Sequence, residues 1–123
     1  MIKLVYCLRR RADVSPEGFY RYWLNTHAPK VKNVAEALRA HRYIQSHTCE
    51  PELNQAFVAS RGLAPAYDGI TEVWWDSAAD LKAAMATPLG AEAMAMLQED
   101  ESRFIDFSQS RVFMTTEHTI FDR

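Results

Sequence analysis

The hydrophobic period along this chain switches between two and 3.6 in an order that admits few folds. Residues 2–9 alternate, with Ile2, Leu4, Tyr6 and Leu8 on one side and Lys3, Val5, Cys7 and Arg9 on the other, the mark of a half-buried strand. Ser15-Pro16-Glu17 then opens a helix, with Ser as N-cap, Pro at the first helical position and Glu in the first turn. This helix is predicted to end at Asn25 or Thr26. A second segment, capped by Thr26 or His27, carries Val31, Val34, Ala35 and Leu38 at helical spacing. Residues 40–48 alternate again, and Gly69–Asp76 do so most clearly, with Ile70, Glu72 and Trp74 opposite Thr71, Val73 and Trp75. Ser77 to Asp80 resembles a capping box. Thr87-Pro88 restarts a helix that reaches about Glu101 and buries Leu89, Ala93, Met96 and Leu97. The last strand is expected from Arg111 to Ile120. The order β, α, β, β, α, β, with both helical stretches broken in two, suits an α+β ferredoxin-like fold with a four-stranded antiparallel sheet and helices on one face.

The second face of such a sheet would lie bare in a monomer. With Val73, Trp75 and Val112 as candidates for that face, the exposed apolar surface calls for a homodimer with sheet against sheet. Residues 49–67 hold Pro51, Gly62 and Pro65 with little periodicity and read as a long loop with at most a helical turn, a lid or an interface element. Glu99, Asp100 and Glu101 close the last long helix against its dipole, a small cost on a solvated surface.

A chain of 123 residues supports one domain, 1–123, with one core. Its formal net charge of −2 and the lack of a basic block argue against a nucleic-acid partner. Arg9-Arg10-Arg11 is the one basic cluster and reads as a strand leaving the sheet at the surface. No apolar run approaches the roughly 20 residues of a membrane span, and no secretion leader is visible, so a cytoplasmic protein without membrane contact is expected. The two cysteines, Cys7 and Cys49, are then expected to be reduced.

The chemistry concentrates in Phe19-Tyr20-Arg21-Tyr22-Trp23-Leu24-Asn25-Thr26-His27-Ala28-Pro29. In a helix Phe19, Trp23 and His27 stack four apart along one face, so the two apolar rings carry the imidazole inward. Pro29 disfavours helical geometry at Ala28 and sets a break beside His27. An inward imidazole suits a general acid or base, or a helix-end hydrogen bond to a backbone carbonyl. Asp106, among Phe104, Ile105 and Phe107, could hold His27 in one tautomer or cap a turn. Glu72, if inward, would have a raised pKa and act as a second proton carrier; an ion-paired surface Glu is the other reading. His41 and Tyr43 share a strand face and could polarise a carbonyl, while Tyr22, Trp23 and Trp74 could wall a ring-bearing ligand or pack the core. The histidines lack metal-site spacing, so no metal is expected.

Phe19-x-x-Tyr22-Trp23-x-x-x-His27-Ala28-Pro29 after a first strand resembles the EthD family. So do Tyr67-Asp68-Gly69-Ile70-x-Glu72-x-Trp74, Glu101-x-x-Phe104-Ile105-Asp106-Phe107 and Glu117-His118. The resemblance covers nearly the whole chain and implies a dimeric α+β barrel of ferredoxin-like protomers. Relatives include proteins of ether-degradation operons, methylmuconolactone isomerases and polyketide cyclases. The expectation is a cofactor-independent isomerase or cyclase acting on a small cyclic or aromatic oxygenated metabolite, with His27, Asp106 and Glu72 as catalytic groups. Tyr22, Trp23, His41, Tyr43 and Trp74 are its expected substrate contacts. A non-catalytic small-molecule-binding accessory protein is the alternative. A haem-dependent monooxygenase is a second one, because relatives with this barrel include haem-degrading enzymes, although no haem motif is visible here.

Overall fold

The structure, a computed structural model, describes Met1 to Arg123. Its elements run β1 (Ile2–Leu8), α1 (Pro16–Tyr22), a π-helical turn (Trp23–His27), α2 (Ala28–Val34), β2 (Arg42–His47), α3 (Pro51–Arg61), β3 (Gly69–Trp75), α4 (Ala78–Ala86), α5 (Pro88–Glu101), a 3-10 turn (Phe107–Gln109) and β4 (Arg111–Thr115). The strands form one antiparallel sheet in the order β2-β3-β1-β4, the ferredoxin-like α+β arrangement. The caps follow the sequence: Ser15 accepts from the Gly18 N–H, Ser77 from Asp80 and Thr87 from Gly90.

Four local expectations change. Leu89 and Met96, expected to be buried by α5, are exposed at 69% and 36%, while Ala93 and Leu97 are buried. Pro29 does not break the first helix. The backbone stays helical through His27 and Ala28, and the turn widens so that the Ala28 N–H reaches the Trp23 carbonyl five residues back. A widened turn gives the ring of Pro29 room where a regular turn would crowd it. Residues 51–61 form a helix rather than a loop, with no buried residue and with Leu53 and Phe57 exposed. The last strand stops at Thr115 rather than Ile120.

The register fixes which face is covered. Leu4, Tyr6, Tyr43, Gln45, Thr71, Val73, Trp75 and Val112 share the helix-covered face, while Lys3, Val5, Cys7, Ile44, Ile70, Glu72, Trp74 and Phe113 share the bare one. The expected assignment of Val73, Trp75 and Val112 to the bare face is thus reversed. Period-two alternation defines two sides but carries no label for the side that meets helices. The bare face still exposes Ile70 and Phe113, at 37% and 49%.

Two core clusters lie beneath the helices. One joins Leu8, Phe19, Trp23, Phe104 and Ile105; the other joins Val31, Leu38, Ala93 and Leu97. Trp23 seats its ring over Gly69, where an added Cβ would come within 2.5 Å of the indole and 2.8 Å of the Ser46 carbonyl. Gly69→Ala should therefore destabilise the fold by about 1–3 kcal/mol, read from the urea midpoint, because neither rigid neighbour can yield. An unchanged midpoint would contradict this packing.

Candidate active site

Between the helix-covered sheet face and α5 runs a cleft of about 590 Å³. Leu4, Tyr6, Tyr43, Thr71, Val73 and Trp75 form its sheet wall, Val31 and Leu38 one end, and Met94, Leu97, Gln98 and Glu101 its helix wall. Met85, Phe107 and Val112 line it as well. Residues 94, 97, 98 and 101 follow the i, i+3, i+4, i+7 spacing of one helix face, so α5 carries Glu101 into a wall it shares with Met94, Leu97 and Gln98, and Ser110 and Arg111 also line the cleft.

Burial pushes the Glu101 carboxyl up from its ordinary 4.5 to about 7; the Tyr6 hydroxyl beside it pulls down and the charge of Asp100 pushes further up. Burial and Glu101 together drive the Tyr6 phenol far above its ordinary range. Burial also raises Tyr43, with Glu101 adding to the shift and Gln45, Trp23 and Thr71 opposing it. The cleft thus holds one carboxyl that titrates near neutrality, flanked by phenols that stay protonated. Such a set can exchange a proton with a bound carbon or oxygen acid.

His27 is buried at 5% exposure beside this cleft rather than in its lining. Its Nδ1 lies 2.7 Å from Asp100 Oδ2, and Asp100 Oδ1 accepts from the Tyr22 hydroxyl at 2.5 Å and the Lys30 ammonium at 2.7 Å. Burial would raise Asp100, but Lys30, Tyr22 and His27 overcome it and hold the carboxyl at about 2. The ionised Asp100 fixes the proton on His27 Nδ1. Burial outweighs Asp100 at the imidazole and lowers its pKa, which keeps the ring neutral near pH 7.

The carboxylate expected at His27 was Asp106, and the structure supplies Asp100 instead. Asp106 caps the 3-10 turn, accepting from the Ser108 N–H at 3.1 Å and the Ser108 hydroxyl at 2.6 Å. Nor is the end of α5 a solvated acidic surface: Asp100 is 1% exposed and Glu101 is partly buried. Glu72 lies on the bare face and takes an ion pair from Lys3 at 2.8 Å. Trp74 shares that face, donates to Glu117 at 2.6 Å and is overlaid by Lys3 and Arg42. Trp23 is core, and Tyr22 packs on Phe104. His41 is exposed outside β2, 3.7 Å from Asp76. Of the expected site residues Tyr43 lines the cleft. Glu101, Tyr6, Asp100 and Gln45 escaped the sequence reading, although Glu101 stands four residues after Leu97, a signal that was there to be used.

No histidine lines the cleft, so a haem there would find no imidazole ligand. No group of three or more His, Cys, Asp or Glu converges as a metal site. No helix is long and apolar enough to cross a membrane. Cys7 and Cys49 are free thiols, and the arginine cluster is engaged internally, with Arg11 donating to the Ser102 carbonyl at 2.8 Å and the Arg10 N–H to Asp68 at 2.7 Å.

A family model described as the EthD domain matches residues 11–108. The chain belongs to the EthD family. Its fold is similar to an ethyl tert-butyl ether degradation (EthD) family protein from Bacillus halodurans, at 19% identity over 96% of this chain and 99% of that one, TM-score 0.62. It is also similar to a dimeric ferredoxin-like protein of unknown function from Bacteroides fragilis, at 10% identity over 93% of each chain, TM-score 0.58. A third is SnoaB from Streptomyces nogalater, a cofactor-independent oxygenase, at 11% identity over 98% of this chain and 97% of that one, TM-score 0.57. At these identities the likeness establishes the shared fold. No curated protein sequence matches the chain. Within the EthD frame, α5 places Asp100 and Glu101 on opposite duties, one pinning the helix to α1 and α2, the other facing the cleft.

Proposed function

We propose that this EthD-family protein is a cofactor-independent acid-base enzyme, an isomerase or cyclase, acting on a small cyclic or aromatic oxygenated compound held in the cleft. The observation that carries the reading is Glu101, placed by α5 in the cleft wall among Met94, Leu97 and Gln98 and beside the Tyr6 hydroxyl, where burial pushes its carboxyl up to about 7. A base of that strength takes a proton from an activated carbon and returns it as an acid without leaving its working range. The cleft volume of about 590 Å³ suits a ligand of one to three rings. In the reaction the Glu101 carboxylate removes the proton from a carbon next to a carbonyl. The C–H bonding pair becomes the enolate, and the same carboxyl delivers its proton to a second carbon or to the oxygen. His27 and Asp100 act in this reading as the pin that sets α5 and hence Glu101.

The test is deuterium exchange at the α-carbon of 2-tetralone, a ring ketone of fitting size. Exchange should be catalysed, should rise with pH through about 7 and should level off above it, as expected for the ionised carboxyl. Binding of 2-tetralone without exchange would favour the accessory-protein alternative instead.

The bare sheet face supports a homodimer, as does the dimeric state of the Bacteroides fragilis protein. Exposed Ile70 and Phe113 lie on it beside Val5 and Ile44. Light scattering should give twice the chain mass of 14.1 kDa, and Phe113→Glu should return it to the monomer. A monomeric wild type would remove this part.

A further inference from the structure

Gln45 sits on β2 between the cleft and the π-helical turn, and its side chain is held from three sides. Its Nε2 lies 2.9 Å from the Trp23 carbonyl and 2.8 Å from the Tyr43 hydroxyl oxygen, and its Oε1 lies 2.9 Å from His47 Nε2. A backbone carbonyl only accepts, so the atom facing Trp23 must be the amide nitrogen. That assignment fixes every other direction. The second amide hydrogen goes to the Tyr43 oxygen, which acts as acceptor, and Oε1 accepts from a protonated His47 Nε2. His47 is itself clamped, stacked on Trp23 at 4.5 Å with planes 11° apart and on Tyr20 at 5.2 Å. With both amide hydrogens used, Gln45 offers Tyr43 nothing that could take its proton.

We infer that Gln45 is a positioning residue that turns Tyr43 into a hydrogen-bond donor toward the cleft, and that the ligand therefore carries a carbonyl oxygen at that point. The anchor is the Trp23 carbonyl, which belongs to the widened turn and accepts from Ala28 as well as Gln45. A single backbone group thus sets the polarity of a chain that ends in the cleft. A ligand carbonyl in the cleft can accept the Tyr43 hydrogen bond. The Gln45 amide donating to the Tyr43 oxygen polarises its O–H bond and strengthens the donor. When Glu101 removes an α-proton, the charge that develops on the carbonyl oxygen meets this O–H, with no covalent change at Tyr43. The inference rests on the proposed reading of the cleft as the site, and it names a ketone or related carbonyl compound as the substrate class.

The experiment compares 2-tetralone with tetralin, which has the same rings and no carbonyl. Wild-type protein should bind 2-tetralone about tenfold more tightly than tetralin by calorimetry. The ¹³C resonance of labelled C2 should move downfield on binding. Tyr43→Phe and Gln45→Leu should both abolish the preference and the downfield shift, and Gln45→Leu, outside the cleft lining, should leave tetralin affinity unchanged. Gln45→Glu should do the same, because its carboxylate accepts the Tyr43 proton. Persistence of the shift in Gln45→Leu, parallel loss of tetralin affinity, or equal binding of the two compounds by wild type would each overturn the inference. The Glu101→Gln variant separates the two readings. It should lose exchange and keep the carbonyl preference, whereas full exchange in that variant with the preference intact would sink the proton-transfer mechanism and leave the Tyr43 assignment standing.

Discussion

Replacing Glu101 by Gln should abolish catalysed exchange of 2-tetralone and make the protein more stable at the same time. The exchange rate should fall at least about 100-fold, the usual contribution of a general base. The stability gain follows from proton linkage. Glu101 has a folded pKa of about 7 against an ordinary value of 4.5, so the folded chain holds its proton where the unfolded chain has released it. Stability from this group is therefore full below pH 4.5, declines as pH rises and is lost once pH passes about 7. Above that point the buried charge costs the wild type about 3 kcal/mol, which a neutral amide of the same shape avoids. Urea unfolding at pH 4 should show the two proteins alike, and at pH 8 the variant should be the more stable. A difference that did not grow between those pH values would mean that Glu101 is solvated, and the site would lose its base. A loss of activity coupled to a gain in stability is the signature of a strained functional group rather than a structural one.

Asp100→Ala should have the opposite effect on stability. The carboxylate is 1% exposed and accepts from Tyr22, His27 and Lys30 at once. Removing it strands a half-buried hydroxyl and a buried imidazole N–H, and it detaches the end of α5 from α1 and α2. A loss of about 3–5 kcal/mol is expected, enough to threaten a domain of this size. Asp100→Asn should lose less, because the amide oxygen still accepts from one or two of the three donors. The pH dependence distinguishes the charge from the shape. Asp100 titrates at about 2 when folded against 3.8 ordinarily, so its stabilisation is full above pH 3.8 and fades as pH falls toward 2. His27 is lowered by burial, so its neutral form stabilises the fold above its ordinary 6.5, and that stabilisation declines as pH falls below that value. Acid unfolding of Asp100→Asn should accordingly begin from a lower plateau and lack the limb below pH 4 seen in wild type. An Asp100→Ala protein with wild-type stability would show that the cluster is not the pin described.

The two consecutive acids show how far the sequence could be read. Strands β1 and β3, the caps at Ser15, Ser77 and Thr87, and the inward course of His27 are local consequences of period and capping chemistry. Each needs only neighbours within one or two turns. The partner of His27 is a different matter, because Asp100 lies 73 residues away along the chain. The sequence pointed to Asp106, and only the docking of α5 on α1 and α2 brings Asp100 to the imidazole. The same docking converts the end of α5 from an apparent solvated surface into the place where one carboxyl is pinned and the next is desolvated.

The sequence by itself determined the β, α, β, β, α, β order apart from helix α3, the four-stranded antiparallel plan and a buried imidazole among aromatics, since these follow from periodicity and from side chains a few residues apart. Tertiary structure alone decided which sheet face the helices cover, which carboxylate meets His27 and which one enters the cleft. Alternation marks two sides without labelling either. A pKa is set by burial and by charges brought together from distant segments, and those quantities come into being only when the helices close over the sheet.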